Sequence, residues 1–249
     1  MNAVNKVLVV GGGIGGLCTA IALRRKGIDV DLVELKAEWT VYGVGIIQQS
    51  NVVREMSRLG LLDAYLDAAY AFEDVAIYTT DGQPLVRIPG QRLAGPQYPA
   101  NVGISRRALH KVLSETTLEL GASVRLGTTI QSLEQDEDGV DVVLSDGTCA
   151  RYDLVVGADG LYSKVREMIF GNQYKPRFTG QSVWRYNFPR LPQINHLPTT
   201  RARRAMPAWC RCPTRSCTCS PPPTSRAIRG CRSTTWLPRC ASACRAWAA

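Results

Sequence analysis

A run of five glycines within six residues, from Gly11 to Gly16, constrains the fold more than any other feature of this 249-residue chain. The short apolar segment Lys6–Val10 precedes it and is suited to a strand that is buried on both faces. Apolar residues then recur at the i, i+3, i+4 and i+7 positions of a helix, which predicts a helix that begins in the run and ends at Gly27. A second apolar strand, Asp29–Glu34, follows. This order predicts a βαβ unit, and therefore a parallel sheet with a right-handed crossover.

The spacing of the glycines indicates what the turn between strand and helix binds. Gly11, Gly13 and Gly16 satisfy G-x-G-x-x-G: the first allows a tight turn, the second lets a pyrophosphate approach the backbone, and the third lets the helix pack on the sheet. Ile14 and Gly15 lie at the helix N-terminus, where N–H groups and the helix dipole favour phosphates. Glu34, 23 residues after Gly11, is placed to accept hydrogen bonds from a ribose diol, and its charge disfavours a 2′-phosphate. The pattern predicts a site for FAD or NAD and does not choose between them.

Charge and cysteine are concentrated at one end of the chain. The net charge is +9, yet residues 1–200 carry 20 Lys or Arg and all 21 Asp and Glu, whereas residues 201–249 carry ten Arg and no acid. Seven of the nine cysteines also lie in that last segment, after Cys18 and Cys149. The nearly neutral body argues against a nucleic-acid partner, and its two isolated cysteines favour a reduced, cytoplasmic protein. The apolar stretch at 7–23 is too short and too rich in glycine for a membrane span.

The remaining chain alternates between helical and extended patterns. A helical pattern covers residues 51–69, whereas residues 73–103 alternate in short segments with a turn at Asp81-Gly82. This change predicts antiparallel strands inserted into the parallel domain. A helix at 105–120, strands between 124 and 156 with a hairpin turn at 145–147, and a helix at 162–170 follow.

Two later segments distinguish between FAD and NAD. One is RRALH, residues 106–110, which opens a helix; the other is GADGLYSKVR, residues 157–166, which follows a buried strand. With the glycine run, and with GVGI at residues 43–46 upstream of Asn51, they resemble the motifs of the class A flavoprotein monooxygenases, the para-hydroxybenzoate hydroxylase-like family. The motifs keep the order of that family over residues 7–170, about two thirds of the chain.

The resemblance implies FAD as the cofactor and specific residues that contact it. These residues are Gly45, Arg106, the backbone at Ile130, and Asp159, beside the glycine run and Glu34. On the residues alone, Arg106 also fits a cation on an exposed helix start, and Asp159 also fits a cap of the following helix. His110 is expected to pack or cap within its own helix rather than to act as a base.

The resemblance also implies the reaction and the place of the substrate. NAD(P)H would reduce FAD, and one oxygen atom of O2 would pass to a small aromatic substrate. That substrate would lie against residues 73–103 and the strand that begins near residue 181, where Trp184 and Arg185 are the tentative substrate residues. A strand core and a surface cation explain those two residues equally well. No metal-ligand spacing occurs in the body of the chain, as expected where the flavin carries the chemistry.

The segment after residue 199 departs from the family. The later GD segment of the family has no counterpart, and residues 201–249 hold seven Cys, ten Arg and six Pro with only three large aliphatic residues. Such a composition predicts a disordered tail. A frameshift near residues 199–208 would account for the cysteines, the charge and the missing segment together. The alternatives are a zinc site built on the CxC pairs of Cys210, Cys212, Cys217 and Cys219, and an arginine-rich nucleic-acid tail.

These observations predict an α/β fold: a Rossmann-like parallel-sheet FAD-binding domain with an inserted, incomplete antiparallel substrate sheet. The FAD-binding domain is predicted at 1–72 and 104–174, the partial substrate domain at 73–103 and 175–199, and the anomalous tail at 200–249. The predicted function is FAD- and NAD(P)H-dependent hydroxylation of a small aromatic compound. The alternatives are a flavin dehydrogenase or reductase that does not activate oxygen, and a non-catalytic FAD-binding fragment. The oligomeric state stays open.

Overall fold

A computed structural model describes most of the chain. The described residues are 4–39, 41, 43–181, 185, 187–188, 194–200, 209–211 and 217–219. Their helices are α1 (Ile14–Arg24), α2 (Ser50–Arg58), α3 (Leu62–Asp67), α4 (Arg106–Glu119) and α5 (Lys164–Phe170), with a 3-10 turn at Gly171–Gln173. Their strands are β1 (Lys6–Val10), β2 (Asp29–Glu34), β3 (Gly45–Gln49), β4 (Tyr70–Phe72), β5 (Asp74–Tyr78), β6 (Pro84–Pro89), β7 (Asn101–Ser105), β8 (Ser123–Leu126), β9 (Ile130–Gln135), β10 (Val140–Leu144), β11 (Cys149–Tyr152), β12 (Leu154–Gly157), β13 (Asn187–Phe188), β14 (Leu197–Thr200), β15 (Trp209–Arg211) and β16 (Cys217–Cys219).

The chain divides into two compact units. The first unit comprises Met1–Tyr42 and Arg107–Arg177, and the second comprises Gly43–Arg106 and Phe178–Ala249. Residues 43–72, predicted with the FAD-binding domain, group with the second unit because β3 and β4 both pair with β7. The function of each unit stays a prediction.

A four-stranded parallel sheet in the order β12-β1-β2-β8 forms the centre of the first unit. β1 pairs with β2 on one side and with β12 on the other, so its four apolar residues from Val7 to Val10 are buried. α1 connects β1 to β2, as the periodicity predicted. The sheet confirms the α/β fold class and places the glycine run at the carboxyl end of its central strand.

A three-stranded antiparallel sheet, β11-β10-β9, supplies much of the core of the first unit. Its buried residues Ile130, Val142 and Leu144 pack in one cluster with Leu8 of the parallel sheet and Val165 of α5. β11 has no counterpart in the predicted pattern. Only Tyr152 of its four residues is buried, so the apolar alternation that marks a strand is missing there.

The described residues of the second unit form three small sheets. Their orders are β3-β7-β4, β14-β5-β6 and β13-β16-β15. β5 and β6 confirm the antiparallel strands expected in the inserted region. The helical pattern predicted at 51–69 forms two helices: Gly60, with φ of 65°, separates α2 from α3 because a left-handed residue ends the first helix.

The anomalous tail was expected to be disordered, and part of it has regular structure. β15 and β16 pair antiparallel with each other, and β16 also pairs with β13. The other residues of 201–249 lie outside the described residues. The expectation therefore does not hold for these two short strands.

Candidate cofactor site

The glycine run forms the turn between β1 and α1, and two of its glycines are required by packing within the protein. Gly11 has φ of 112°, and a Cβ there would overlap the carbonyl of Ala158. A Cβ on Gly16 would overlap the carbonyl oxygen of Gly11. The backbone of α1 therefore rests directly on the turn, at the first and third positions of the motif.

Gly13, the second glycine of the motif, differs because no described residue packs against the position of its missing side chain. It is the N-cap of α1 with φ of −78°, a conformation open to any residue, and a Cβ there would meet no atom within 4 Å. The first N–H groups of a helix have no partners inside the helix. Gly13 thus leaves open space in front of unpaired donors, which is the arrangement that a bound phosphate uses.

Glu34 ends β2 with its carboxylate fixed from two sides. Oε2 accepts a hydrogen bond from Gly12 N at 2.8 Å, and Oε1 accepts one from Lys36 N at 3.0 Å. Each oxygen of an ionised carboxylate has two lone pairs, so both retain capacity for another donor. The carboxylate is therefore held in place and can still accept hydrogen bonds from a ligand.

The carbonyl of Gly12 accepts two further side-chain hydrogen bonds. Trp39 Nε1 donates to it at 2.9 Å, and His110 Nε2 lies 3.0 Å from it. The two rings meet edge to face with centroids 5.6 Å apart. The expected packing of His110 within its own helix is wrong in this respect, because the buried ring bonds a turn 98 residues away. No periodic pattern in the sequence predicts a contact over this separation.

Asp159 lies in the turn between β12 and α5 and binds the start of that helix. Its Oδ2 accepts from Lys164 N at 2.6 Å and from Val165 N at 3.2 Å, and its Oδ1 accepts from Ser163 Oγ at 2.5 Å. Ser163 is itself the N-cap and accepts from Arg166 N. The GADGLYSKVR segment therefore contains a double helix cap, and the cap accounts for its Asp and Ser.

These residues surround a cavity of about 250 Å³ in the first unit. Of the residues predicted from the sequence, Gly11, Gly13, Glu34 and Asp159 line it. Sequence reasoning did not select its other lining residues: Gly12, Lys36, Glu38, Trp39, Val41, His110, Ala158 and Gly160. Several of these residues are adjacent in sequence to predicted ones, and this adjacency is the signal by which they could have been found.

The other predicted cofactor residues lie elsewhere. Ile14, Gly15 and Gly16 belong to α1 behind the turn, and Ile130 is fully buried in the core of the first unit. Gly45 begins β3 in the second unit.

Arg106 ends the first segment of the second unit and packs beside Gly43, whose added Cβ would lie 3.1 Å from Arg106 Cδ. Among the described residues its buried Nε has no hydrogen-bond partner, which leaves a donor for an anion. Of the tentative substrate residues, Arg185 is exposed and Trp184 lies outside the described residues.

The cavity fits the adenosine and pyrophosphate half of a flavin dinucleotide. It combines a glycine turn that admits a phosphate, a helix N-terminus, and a fixed carboxylate at the sequence position where the motif has its acceptor for the ribose. Fold and site together define a dinucleotide-binding domain. A family model described as the FAD binding domain matches residues 5–196, and the chain belongs to this family. FAD is accordingly its cofactor, and the resemblance to the flavoprotein monooxygenases that was drawn from the sequence motifs is confirmed.

Curated relatives agree with this assignment. The chain is 36% identical over 184 residues to 3-amino-4-hydroxybenzoate 2-monooxygenase of Streptomyces cremeus. The match covers 72% of this chain and 45% of that protein. It is 33% identical over 183 residues to aurachin C monooxygenase/isomerase of Stigmatella aurantiaca, which covers 72% and 46%. The chain thus spans about half the length of the curated relatives that it matches.

Solved structures share the fold. A tetrameric form of 2-methyl-3-hydroxypyridine-5-carboxylic acid oxygenase superposes with a TM-score of 0.76 at 23% identity, over 98% of this chain and 66% of that one. A variant of Klebsiella pneumoniae HpxO in complex with FAD superposes with a TM-score of 0.78 at 24% identity, over 92% and 60%. In the described part of the chain, every helix is too short or too polar to cross a bilayer.

Proposed function

We propose that this chain binds FAD as the dinucleotide-binding part of a monooxygenase that uses NAD(P)H and O2 to hydroxylate a small aromatic substrate. The observation that carries the proposal is the open space at Gly13 in front of the N-terminus of α1. None of the described residues occupies that space or requires a glycine there. A bound ligand with phosphate groups explains why this position is a glycine.

The residues of the chain have separate tasks toward the cofactor. The N–H groups at Gly13 and the start of α1 bind the pyrophosphate, and Glu34 accepts from the ribose. Arg106 supplies a cationic donor, and its unpaired Nε supports this task. The family resemblance assigns further cofactor contacts to Gly45, to the backbone at Ile130 and to Asp159. When bound, FAD supplies the redox chemistry, and the protein supplies orientation and exclusion of water.

The substrate and the co-substrate are proposed from the relatives. Their names describe monooxygenases of aminohydroxybenzoates and of aurachin C, which supports an aromatic compound as the acceptor of oxygen. In the balanced reaction, NAD(P)H, a proton, O2 and the aromatic compound give NAD(P)+, water and the hydroxylated product. Trp184 and Arg185 stay the proposed substrate residues, with Arg185 exposed to meet a carboxylate.

A second candidate is a non-catalytic FAD-binding fragment. It is favoured because the family match ends at residue 196, before the segment of altered composition. A flavin dehydrogenase or reductase without oxygen activation is the third candidate. All three share the cavity and differ in the chemistry that the bound cofactor performs.

Substitution of Gly13 tests the cofactor site. In the purified 249-residue chain, Gly13→Val is expected to weaken FAD binding at least about 100-fold, because the side chain fills the space that the pyrophosphate needs. The free energy of thermal unfolding of the cofactor-free variant should fall by only the modest cost of a valine at an N-cap, about 0.5–1 kcal/mol, because no described atom lies within 4 Å of the added Cβ. Flavin absorbance gives the bound fraction. Full FAD retention by the variant would place the pyrophosphate elsewhere.

Turnover distinguishes the three candidates. The chain is incubated with FAD, NADH or NADPH and a panel of hydroxybenzoates, and 18O incorporation from O2 is followed by mass spectrometry. Product that carries one labelled oxygen supports the monooxygenase. Substrate-dependent NAD(P)H oxidation without labelled product indicates the dehydrogenase or reductase. Absence of NAD(P)H oxidation with every substrate indicates the non-catalytic fragment.

A further inference from the structure

The peptide between Gly12 and Gly13 is held by side chains that no motif includes. Its carbonyl oxygen accepts from Trp39 Nε1 at 2.9 Å and from His110 Nε2 at 3.0 Å. A carbonyl oxygen only accepts, so His110 carries its proton on Nε2. Two donors from different parts of the chain therefore converge on one oxygen atom.

The geometry of the peptide transmits this restraint to Gly13. No cis peptide bond occurs among the described residues, so the Gly13 N–H points to the side opposite the Gly12 carbonyl. Trp39 and His110 occupy the carbonyl side. No acceptor for the Gly13 N–H is found among the described residues, and Gly13 lines the cavity.

Further contacts restrain this peptide. The preceding amide, Gly12 N, is bound to Glu34 Oε2 at 2.8 Å. A Cβ on Gly12 would come within 2.7 Å of Trp39 Nε1, so the indole lies directly on the turn. Trp39 and His110 also support each other through their edge-to-face contact at 5.6 Å.

We propose that Trp39 and His110 are positioning residues for the pyrophosphate of FAD, because together they hold the Gly12–Gly13 peptide with its N–H presented to the cavity. The inference rests on the proposed FAD site and extends it to two residues outside the glycine motif. Neither side chain needs to touch the phosphates. Both act through one carbonyl, and a phosphate oxygen accepts the N–H that they orient.

Variants that keep the rings and remove the donors test the proposal. Trp39→Phe and His110→Phe each remove one hydrogen bond, and each is expected to weaken FAD binding about fivefold. The double variant should lose more than the product of the two, at least about 50-fold, because one remaining donor still orients the carbonyl. His110→Gln keeps an amide donor and should bind FAD within about twofold of the wild type. ADP, which retains the pyrophosphate, should follow the same order of affinities.

A matched control separates positioning from stability. Thr117 lies on the same buried face of α4, two turns after His110, and its hydroxyl bonds only Leu113 O. Thr117→Val removes that hydrogen bond, and it should leave the FAD affinity unchanged even where the melting temperature falls. Amide exchange at residues 11–16 of the cofactor-free protein should accelerate in the Trp39 and His110 variants and not in Thr117→Val.

The outcomes are distinct. A folded double variant that binds FAD as tightly as the wild type would overturn the positioning role. Equal loss of affinity in Thr117→Val would assign the effect to stability and overturn it as well. A wild-type chain that binds neither FAD nor ADP would contradict the proposed function, and amide exchange would then decide whether the two side chains hold the turn.

Discussion

The glycine turn and the surface of α5 lie in the same unit, and they differ in how completely their groups are partnered. At the turn, the Gly12 amide, the Gly12 carbonyl and both Glu34 oxygens have hydrogen-bond partners. Around α5, the apolar side chains of Leu161, Tyr162, Ile169 and Phe170 are 64%, 80%, 56% and 52% exposed. Protein contacts hold the turn around the Gly13 N–H that faces the cavity, whereas the second region is apolar surface of the kind that marks an interface or an aggregation hazard.

The edge of the parallel sheet shows the same contrast. β1, in the centre, has strands on both sides and no exposed residue after Lys6. β12 pairs only with β1 among the described residues, and its Leu154 is 44% exposed. An unpaired edge with exposed apolar residues invites association with other chains. Cofactor binding and solubility thus depend on different regions, and substitutions can separate them.

The largest effect is expected from Gly16→Ala at the turn. The new Cβ would overlap the Gly11 carbonyl oxygen; the backbone fixes the position of a Cβ and the oxygen is a backbone atom, so no rotamer change relieves the clash. We expect a loss of about 3 kcal/mol in the free energy of unfolding, at the upper end for overpacking. Gly15→Ala is the matched control, since its Cβ meets no atom within 4 Å and alanine favours the helix by about 0.5–1 kcal/mol. Urea titration measures both, and equal stability of the two variants would contradict the packing.

A smaller effect is expected at the cap of α5. Asp159→Ala removes the acceptor for two backbone N–H groups, at Lys164 and Val165, and should cost about 1–2 kcal/mol. Asp159→Asn keeps one acceptor oxygen and should cost less than half as much. Urea titration at pH 7 and at low salt gives both values. Identical stability of Asp159→Ala and the wild type would show that the cap does not contribute to the free energy of unfolding. Cofactor binding would then be the remaining explanation for an aspartate at this position.

The sequence predicted the local part of this site and missed the long-range part. The glycine spacing and the two short apolar strands are contained within residues 6–34, so periodicity and motif define β1, α1 and β2. His110 and Gly12 are 98 residues apart, and no pattern along the chain relates them. The break at Gly60 was missed because apolar spacing continued through it, whereas its left-handed backbone ends α2. Local signals therefore placed the turn, and tertiary packing placed the groups that hold it.

The smallest effect on stability is expected at the α5 surface, and it tests the comparison from the other side. Tyr162→Ser and Ile169→Lys together replace side chains that are 80% and 56% exposed, so the free energy of unfolding should change by less than about 0.5 kcal/mol. Val165→Ala in the same helix is the control: it is 4% exposed, and its loss should cost about 1–2 kcal/mol. The double variant should keep the FAD affinity of the wild type and stay monodisperse at higher concentration, because apolar contact area between molecules is removed. Sedimentation velocity and urea titration provide the two readouts. A destabilisation above about 1 kcal/mol would mean that these side chains are covered in solution. The contrast between a turn held by protein contacts and an exposed apolar helix surface would then be wrong.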